Sequence, residues 1–152
     1  MALWPKLVFQ SLRPKPSEYP KELRTLGDHV RARRLDLGLD QKEAAKLIGV
    51  NPWTITNWER HHTKPHVRAY PAILNFLGYC PIQYPKSTGE RIRLHRMHRG
   101  LTLLSLANIL GVDVSTVGNW ERDKNSPYRQ SETYLQKIYQ LGHGFECCMT
   151  SQ

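Results

Sequence analysis

The sequence predicts an all-α fold built twice over, and three features carry that expectation. The stretch Gly49-Val50-Asn51-Pro52-Trp53-Thr54-Ile55-Thr56-Asn57-Trp58-Glu59-Arg60 returns as Gly111-Val112-Asp113-Val114-Ser115-Thr116-Val117-Gly118-Asn119-Trp120-Glu121-Arg122. A constant offset of 62 extends the copying, pairing Gly27 with Gly89, Arg31 with Arg93, Arg34 with Arg96, Gly38-Leu39 with Gly100-Leu101, Ala45 with Ala107 and Pro65 with Pro127. Apolar residues in both copies recur at helical rather than strand spacing. Repetition at a fixed period constrains the architecture before any single element does.

Residues 1–24 read as an extended arm, because Pro14, Pro16 and Pro20 suit a polyproline-like strap better than a packed element. From Leu26, the apolar positions Val30, Leu35 and Leu37 with a basic stripe of Arg31, Arg33 and Arg34 predict a helix stopped by Gly38. Asp40 with Glu43 forms an Asp version of the capping box for the next helix, whose buried face is Ala44, Ala45, Leu47 and Ile48 and whose end is Gly49. Asn51 caps a third helix with Pro52 at its first position, where the missing backbone donor costs nothing, and Ile55 and Trp58 share one face. His61 to His66 is a polar loop, and Ala69 to Leu77 a further helix ended by Gly78, with Pro71 in its first turn. The second copy repeats the plan with helices near 88–99, 103–110, 114–122 and 131–141. The expected architecture is two tandem bundles: arm 1–24, domain 25–79, a short Pro-containing linker 80–86, domain 87–143 and tail 144–152.

The chain has 152 residues and a formal charge of +9. Residues 25–80 carry eight Lys and Arg against five Asp and Glu, and residues 81–142 nine against five. Both repeats are basic, which points to a polyanionic partner rather than to an accidental basic tail. Cys80, Cys147 and Cys148 make no C-x-x-C pair, so neither a disulfide framework nor a cysteine zinc site is expected, and a reducing cytoplasm fits best. The apolar start, Leu3, Trp4, Leu7, Val8 and Phe9, is too short and too broken by Pro5 and Lys6 for a signal peptide. No stretch reaches the length of a membrane span. His62 and His66 have a helical metal spacing but fall in a loop. No nucleophile–base arrangement, Gly-rich phosphate loop or carboxylate pair emerges, so the expectation is no metal, no cofactor and no catalysis.

Ala45 or Ala107 in one helix, Gly49 or Gly111 at the turn, Val50 or Val112 after it, and Ile55 or Val117 in the next helix together resemble the phage-repressor (Xre/Cro) type of helix-turn-helix DNA-binding domain, over about 25–79 and 87–143. These marks are scaffold: a small residue lets two helices cross closely, and the glycine takes a backbone angle costly for residues with a β-carbon. What the scaffold presents must carry the function.

The resemblance implies that the second helix of each motif enters the major groove of double-stranded DNA and reads base edges. That nominates Asn51, Trp53, Thr54, Thr56 and Asn57 in the first copy and Asp113, Ser115, Thr116 and Asn119 in the second. Asn57 would bond adenine N6 and N7, worth about 1–3 kcal/mol of discrimination, while Trp53 would face a thymine methyl. Thr54 would hold a phosphate. Asn51 and Asp113 equally suit helix capping, which would occupy their oxygens. Trp58 and Trp120 are expected in the core. The resemblance also implies salt bridges Arg34–Glu59 and Arg96–Glu121 that fix the angle of each recognition helix. Backbone contacts would come from Arg60, His61 and Lys64, then Arg122, Lys124 and Asn125.

The copies differ. Gln41, a phosphate-contacting or base-buttressing position in the resembled family, has Leu103 as counterpart. Leu103 and Leu104 are expected as an apolar pair near the surface, and Gly118 weakens its helix by roughly 1 kcal/mol relative to alanine. Gly118 either permits close approach to DNA or marks drift towards protein contact. The linker from Gly78 to Gly89 spans at most about 36 Å, against about 34 Å between half-sites one turn apart. Either the units lie closer on a compact site or the chain dimerises.

The expected function is sequence-specific DNA binding by two units in one chain, a transcriptional regulator and a repressor before an activator, cytoplasmic on the nucleoid. The alternative is an antitoxin or interaction adaptor that holds a protein through Leu103, Leu104 or the N-terminal arm, which could equally form a homodimer.

Overall fold

A computed structural model describes residues 18–82, 85–127 and 133. Among the described residues there are seven α-helices and no strand. They are α1 (Leu26–Asp36), α2 (Gln41–Ile48), α3 (Pro52–Glu59), α4 (Tyr70–Leu77), α5 (Thr88–His98), α6 (Leu103–Leu110) and α7 (Val114–Trp120). The helix expected at 131–141, the tail and most of the arm lie outside the described residues.

The helix starts follow from local chemistry. Asp40 Oδ1 accepts the Glu43 N–H at 2.7 Å while Glu43 Oε2 accepts the Asp40 N–H at 2.8 Å, so two orphan donors are satisfied reciprocally. Thr25 and Asp28 make the same box for α1, and Ser87 and Thr102 cap α5 and α6. Gly49 and Gly111 end α2 and α6 at φ 80° and 65°. A β-carbon at either would meet nothing within 4 Å, so the glycine answers to the left-handed backbone, not to lack of room.

The described residues part into two compact units that divide between Lys64 and Pro65. In the first, α1 and α2 both pack on α3. In the second, α6 packs on α7, and α5 on both α4 and α7. Helix α4 follows a 3-10 turn, Val67–Ala69, whose start is capped by His66 Nδ1 accepting the Arg68 N–H at 3.3 Å. The compact division groups α4 with the helices after it; the expected division closed the first copy with it.

The buried sets of the two units match at the repeat offset: Val30 with Ile92, Ala45 with Ala107, Ile55 with Val117 and Trp58 with Trp120. Ile92, Leu106, Ala107, Val117 and Trp120 form one apolar cluster in the second unit. Three details differ from the sequence reading. Leu47 is 64% exposed, because the buried stripe of α2 is Ala44, Ala45 and Ile48 and position 47 falls beside it; Ile109, its counterpart, is exposed too. Leu37 caps α1 on the surface, and the residues α1 buries include Ala32 and Arg34. Helix α7 ends at Trp120, with Glu121 as its cap.

Candidate nucleic-acid interface

Each recognition helix buries one face and presents the opposite one. Helix α3 buries Ile55, Trp58 and Glu59, leaving Trp53, Asn57 and Arg60 at i, i+4 and i+7 on one outward stripe. In α7, Val117 and Trp120 are buried, and the equivalent stripe is Ser115, Asn119 and Arg122. Trp53 is 67% exposed, an indole held in water at the first turn. Trp58 and Trp120 lie in the core, at 4% and 2% exposure.

The cap positions are committed to the helix. Asn51 Oδ1 accepts the Trp53 N–H at 2.9 Å, and Asp113 Oδ1 accepts the Ser115 N–H at 2.7 Å. The Ser115 side chain and backbone hold the Asp113 carboxyl below its usual range. Of the two roles open to these residues, capping is the one in place. By contrast, no hydrogen bond among the described residues engages the half-buried Asn57 side chain, leaving both its donor and its acceptor for a ligand.

Two bidentate clasps set the angle of these helices. Arg34 Nε and Nη2 donate to Glu59 Oε1 and Oε2 at 2.7 and 2.9 Å, and Nη1 donates to the Leu39 carbonyl at 3.0 Å. Arg96 repeats this with Glu121 at 2.5 and 3.0 Å and with the Leu101 carbonyl at 3.0 Å. The planar fork fixes direction as well as distance, so the end of α3 is locked to α1, and the cap of α7 to α5.

Gln41 extends the first clasp. Its Nε2 donates to Glu59 Oε2 at 2.9 Å, and its Oε1 accepts from the Thr56 hydroxyl at 2.7 Å. The amide is therefore a buttress under the recognition helix. Thr56, nominated as a DNA contact, also donates to the Pro52 carbonyl at 3.2 Å and is tied inward. In the second copy both partners change together: Leu103 stands for Gln41 and Gly118 for Thr56. Leu103 is partly buried and packs against its own core cluster rather than lying at the surface beside Leu104. Leu104 alone of that pair is exposed, at 58%.

A further link joins the start of the first helix to the end of the recognition helix in each unit, and the sequence reading missed it. His61 Nε2 lies 3.2 Å from Asp28 Oδ1, and its Nδ1 lies 3.3 Å from Thr25 Oγ1. Burial raises the Asp28 carboxyl, but hydrogen bonds from Thr25, the charge of His61 and the Arg24 N–H outweigh it and leave the pKa lowered. At the equivalent place, Asp123 accepts from the Ser87 hydroxyl at 2.5 Å and from the Gly89 N–H at 2.9 Å, which hold its carboxyl low. His61 and Asp123 both take positive φ, 59° and 54°. A hydroxyl kept at 25 and 87 and a polar residue at 61 and 123 were the available signals.

Arg60, Lys64, Arg122 and Lys124 are exposed beyond the recognition helices, and Thr54 and Thr116 are half-buried. With the outward stripes they form a cationic, hydrogen-bonding surface in each unit. This geometry, two short helices joined by a glycine turn with the second turned outward, defines a helix-turn-helix DNA-binding domain. The chain belongs to the helix-turn-helix family of the phage-repressor (Xre/Cro) kind, whose family model matches it twice in tandem, over residues 30–84 and 92–130. No curated protein and no solved structure matches the chain.

Proposed function

We propose that the chain is a sequence-specific double-stranded DNA-binding protein whose two helix-turn-helix units read one composite site, and that it regulates transcription as a repressor. The observation that carries this reading is the outward stripe of α3, with exposed Trp53, an uncommitted Asn57 amide and Arg60, braced from behind by the Arg34–Glu59–Gln41–Thr56 network. A preorganised helix loses little freedom on docking, so its contacts convert to affinity. Asn57 suits adenine, Trp53 a thymine methyl, and Arg60, Lys64 and Lys124 the flanking phosphates. Thr54 and Thr116 carry hydroxyls suited to a phosphate, and Ser115 and Asn119 polar groups suited to base edges. Tethering two such units raises the local concentration of the second to about millimolar, which lets modest units bind tightly together. Occupancy alone blocks a polymerase, so repression needs nothing beyond these residues. The protein works by binding, without catalysis, in the cytoplasm on the nucleoid; among the described residues no helix is long and apolar enough to cross a membrane.

One observation favours a second reading. Leu104 on α6 is 58% exposed, an apolar side chain on which an adaptor or antitoxin would anchor a protein partner or a second copy. Fluorescence anisotropy with a labelled nonspecific duplex at two salt concentrations separates the two. A DNA reader loses affinity with a log–log slope of about −0.9 per phosphate neutralised. Absence of binding at both concentrations refutes DNA reading and leaves the adaptor.

A further inference from the structure

The two stripes are not chemically equivalent. Arg122 Nη2 donates to Asn119 Oδ1 at 3.0 Å, so the guanidinium is folded back along α7 instead of extending past its end. It lies over Gly118: a β-carbon there would sit 3.6 Å from Nη2 and 4.0 Å from Cζ, in ordinary contact, but any larger side chain would occupy the guanidinium's place. In the first copy that place belongs to Thr56, whose hydroxyl is held by Gln41, and among the described residues no hydrogen bond joins Arg60 to Asn57. The replacement of Gln41 and Thr56 by Leu103 and Gly118 thus removes a buttress and leaves beside buried Gly118 the room in which the guanidinium of exposed Arg122 lies.

We propose that Arg122 reads a guanine, with Asn119 as its positioning residue, so that the second unit specifies a base pair the first does not. This rests on the DNA-reading role of α7. With Asn119 Oδ1 turned to Arg122, the acceptor that adenine N6 would need is engaged, and the pair offers N–H donors outward. Guanine presents two acceptors in the major groove, N7 and O6, whereas adenine sets a donor beside its N7. The composite site is therefore non-palindromic: an adenine-reading half from Asn57 and a guanine-reading half from Arg122.

The test is selection of bound sequences from a random duplex pool with the full chain, followed by binding titrations on the selected duplex carrying 7-deazaguanine at each guanine in turn. The proposal expects one guanine whose N7 removal weakens the wild-type chain, and a discrimination of about 5- to 150-fold at that position that is lost in Arg122→Ala. Gly118→Thr should lose the same preference with its helix content intact by circular dichroism. A uniform loss of affinity across sequences in Arg122→Ala, with the salt slope reduced by about one, makes Arg122 a phosphate contact and overturns the assignment while leaving DNA reading in place. If the wild-type chain selects no sequence and binds no duplex, the DNA-reading role itself falls, and this assignment with it.

Discussion

Gly27 lies so close to the Trp58 carbonyl that a β-carbon on it would stand 2.1 Å from the carbonyl oxygen. Gly89 has the same relation to Trp120, at 2.3 Å. In each unit the first helix rests directly on the backbone of the recognition helix, which makes that contact a gauge of how the helix is presented. Gly27→Ala and Gly89→Ala should each force the helices apart and destabilise the protein by about 1–3 kcal/mol or more. Thermal melts followed by circular dichroism check this; an unchanged melting temperature in either variant would show that the close approach can relax freely.

Arg34 and Glu59 are both buried, at 7% and 4% exposure. Glu59→Ala leaves a guanidinium without its counter-charge and should cost about 3–5 kcal/mol. Replacing both residues with apolar ones of similar volume should recover much of that stability, yet leave base preference relaxed, since the fork no longer sets the angle of α3. Chemical denaturation and binding titrations on the single and double variants separate the two effects. A double variant that keeps full sequence preference would reduce the clasp to a stability element.

Asn57 has no partner among the described residues to lose, so Asn57→Ala should leave stability within about 0.5 kcal/mol of wild type. It should reduce discrimination at one adenine by roughly 1–3 kcal/mol. Selection from a random duplex pool reads this directly, and an identical consensus from the variant would remove Asn57 as a base reader.

The His95 imidazole has its pKa pushed down from 6.5 to about 4 by burial, with the charges of His98 and Arg99 adding to the effect. Burial lowers His98 in the same direction. Between those values the unfolded chain holds a proton that the folded chain rejects, so acidification favours unfolding. Stability should be flat above about pH 7 and fall as pH drops from 6.5 towards 4. The lowered carboxylates Asp28 and Asp123 contribute their loss only at more acid pH, as they are protonated below the usual carboxylate range. His95→Gln should flatten the upper window; melting curves between pH 7.5 and about 4.5 that superpose in slope would exclude His95 as the group responsible.

Much of the fold was legible because its signals are short-range. The Asp40–Glu43 box, the Asn51-Pro52 start and the turn at Gly49 involve residues within a few positions of each other, and each constrains the backbone on its own. The repeat then doubled every signal. Leu47 and Leu37 misled because apolar character alone does not say which side of a helix meets a neighbour; Ala44 and Ala45 let α2 and α3 approach, and that narrowed the buried stripe. The fold-back of Arg122 over Gly118 onto Asn119 was not legible, because it depends on side-chain positions that exist only once α7 has formed.

By itself, the amino-acid order determined that this protein is all-α, duplicated, basic and of the helix-turn-helix kind, since propensity, capping and periodicity act between near neighbours. Only the tertiary structure decided how the readers are braced and how they differ. The contacts that matter there join residues 15, 25 and 36 positions apart, Thr56 to Gln41, Arg34 to Glu59, and Thr25 to His61. Such pairs meet only after packing has brought their helices together, and their geometry is set by that packing rather than by the chain between them.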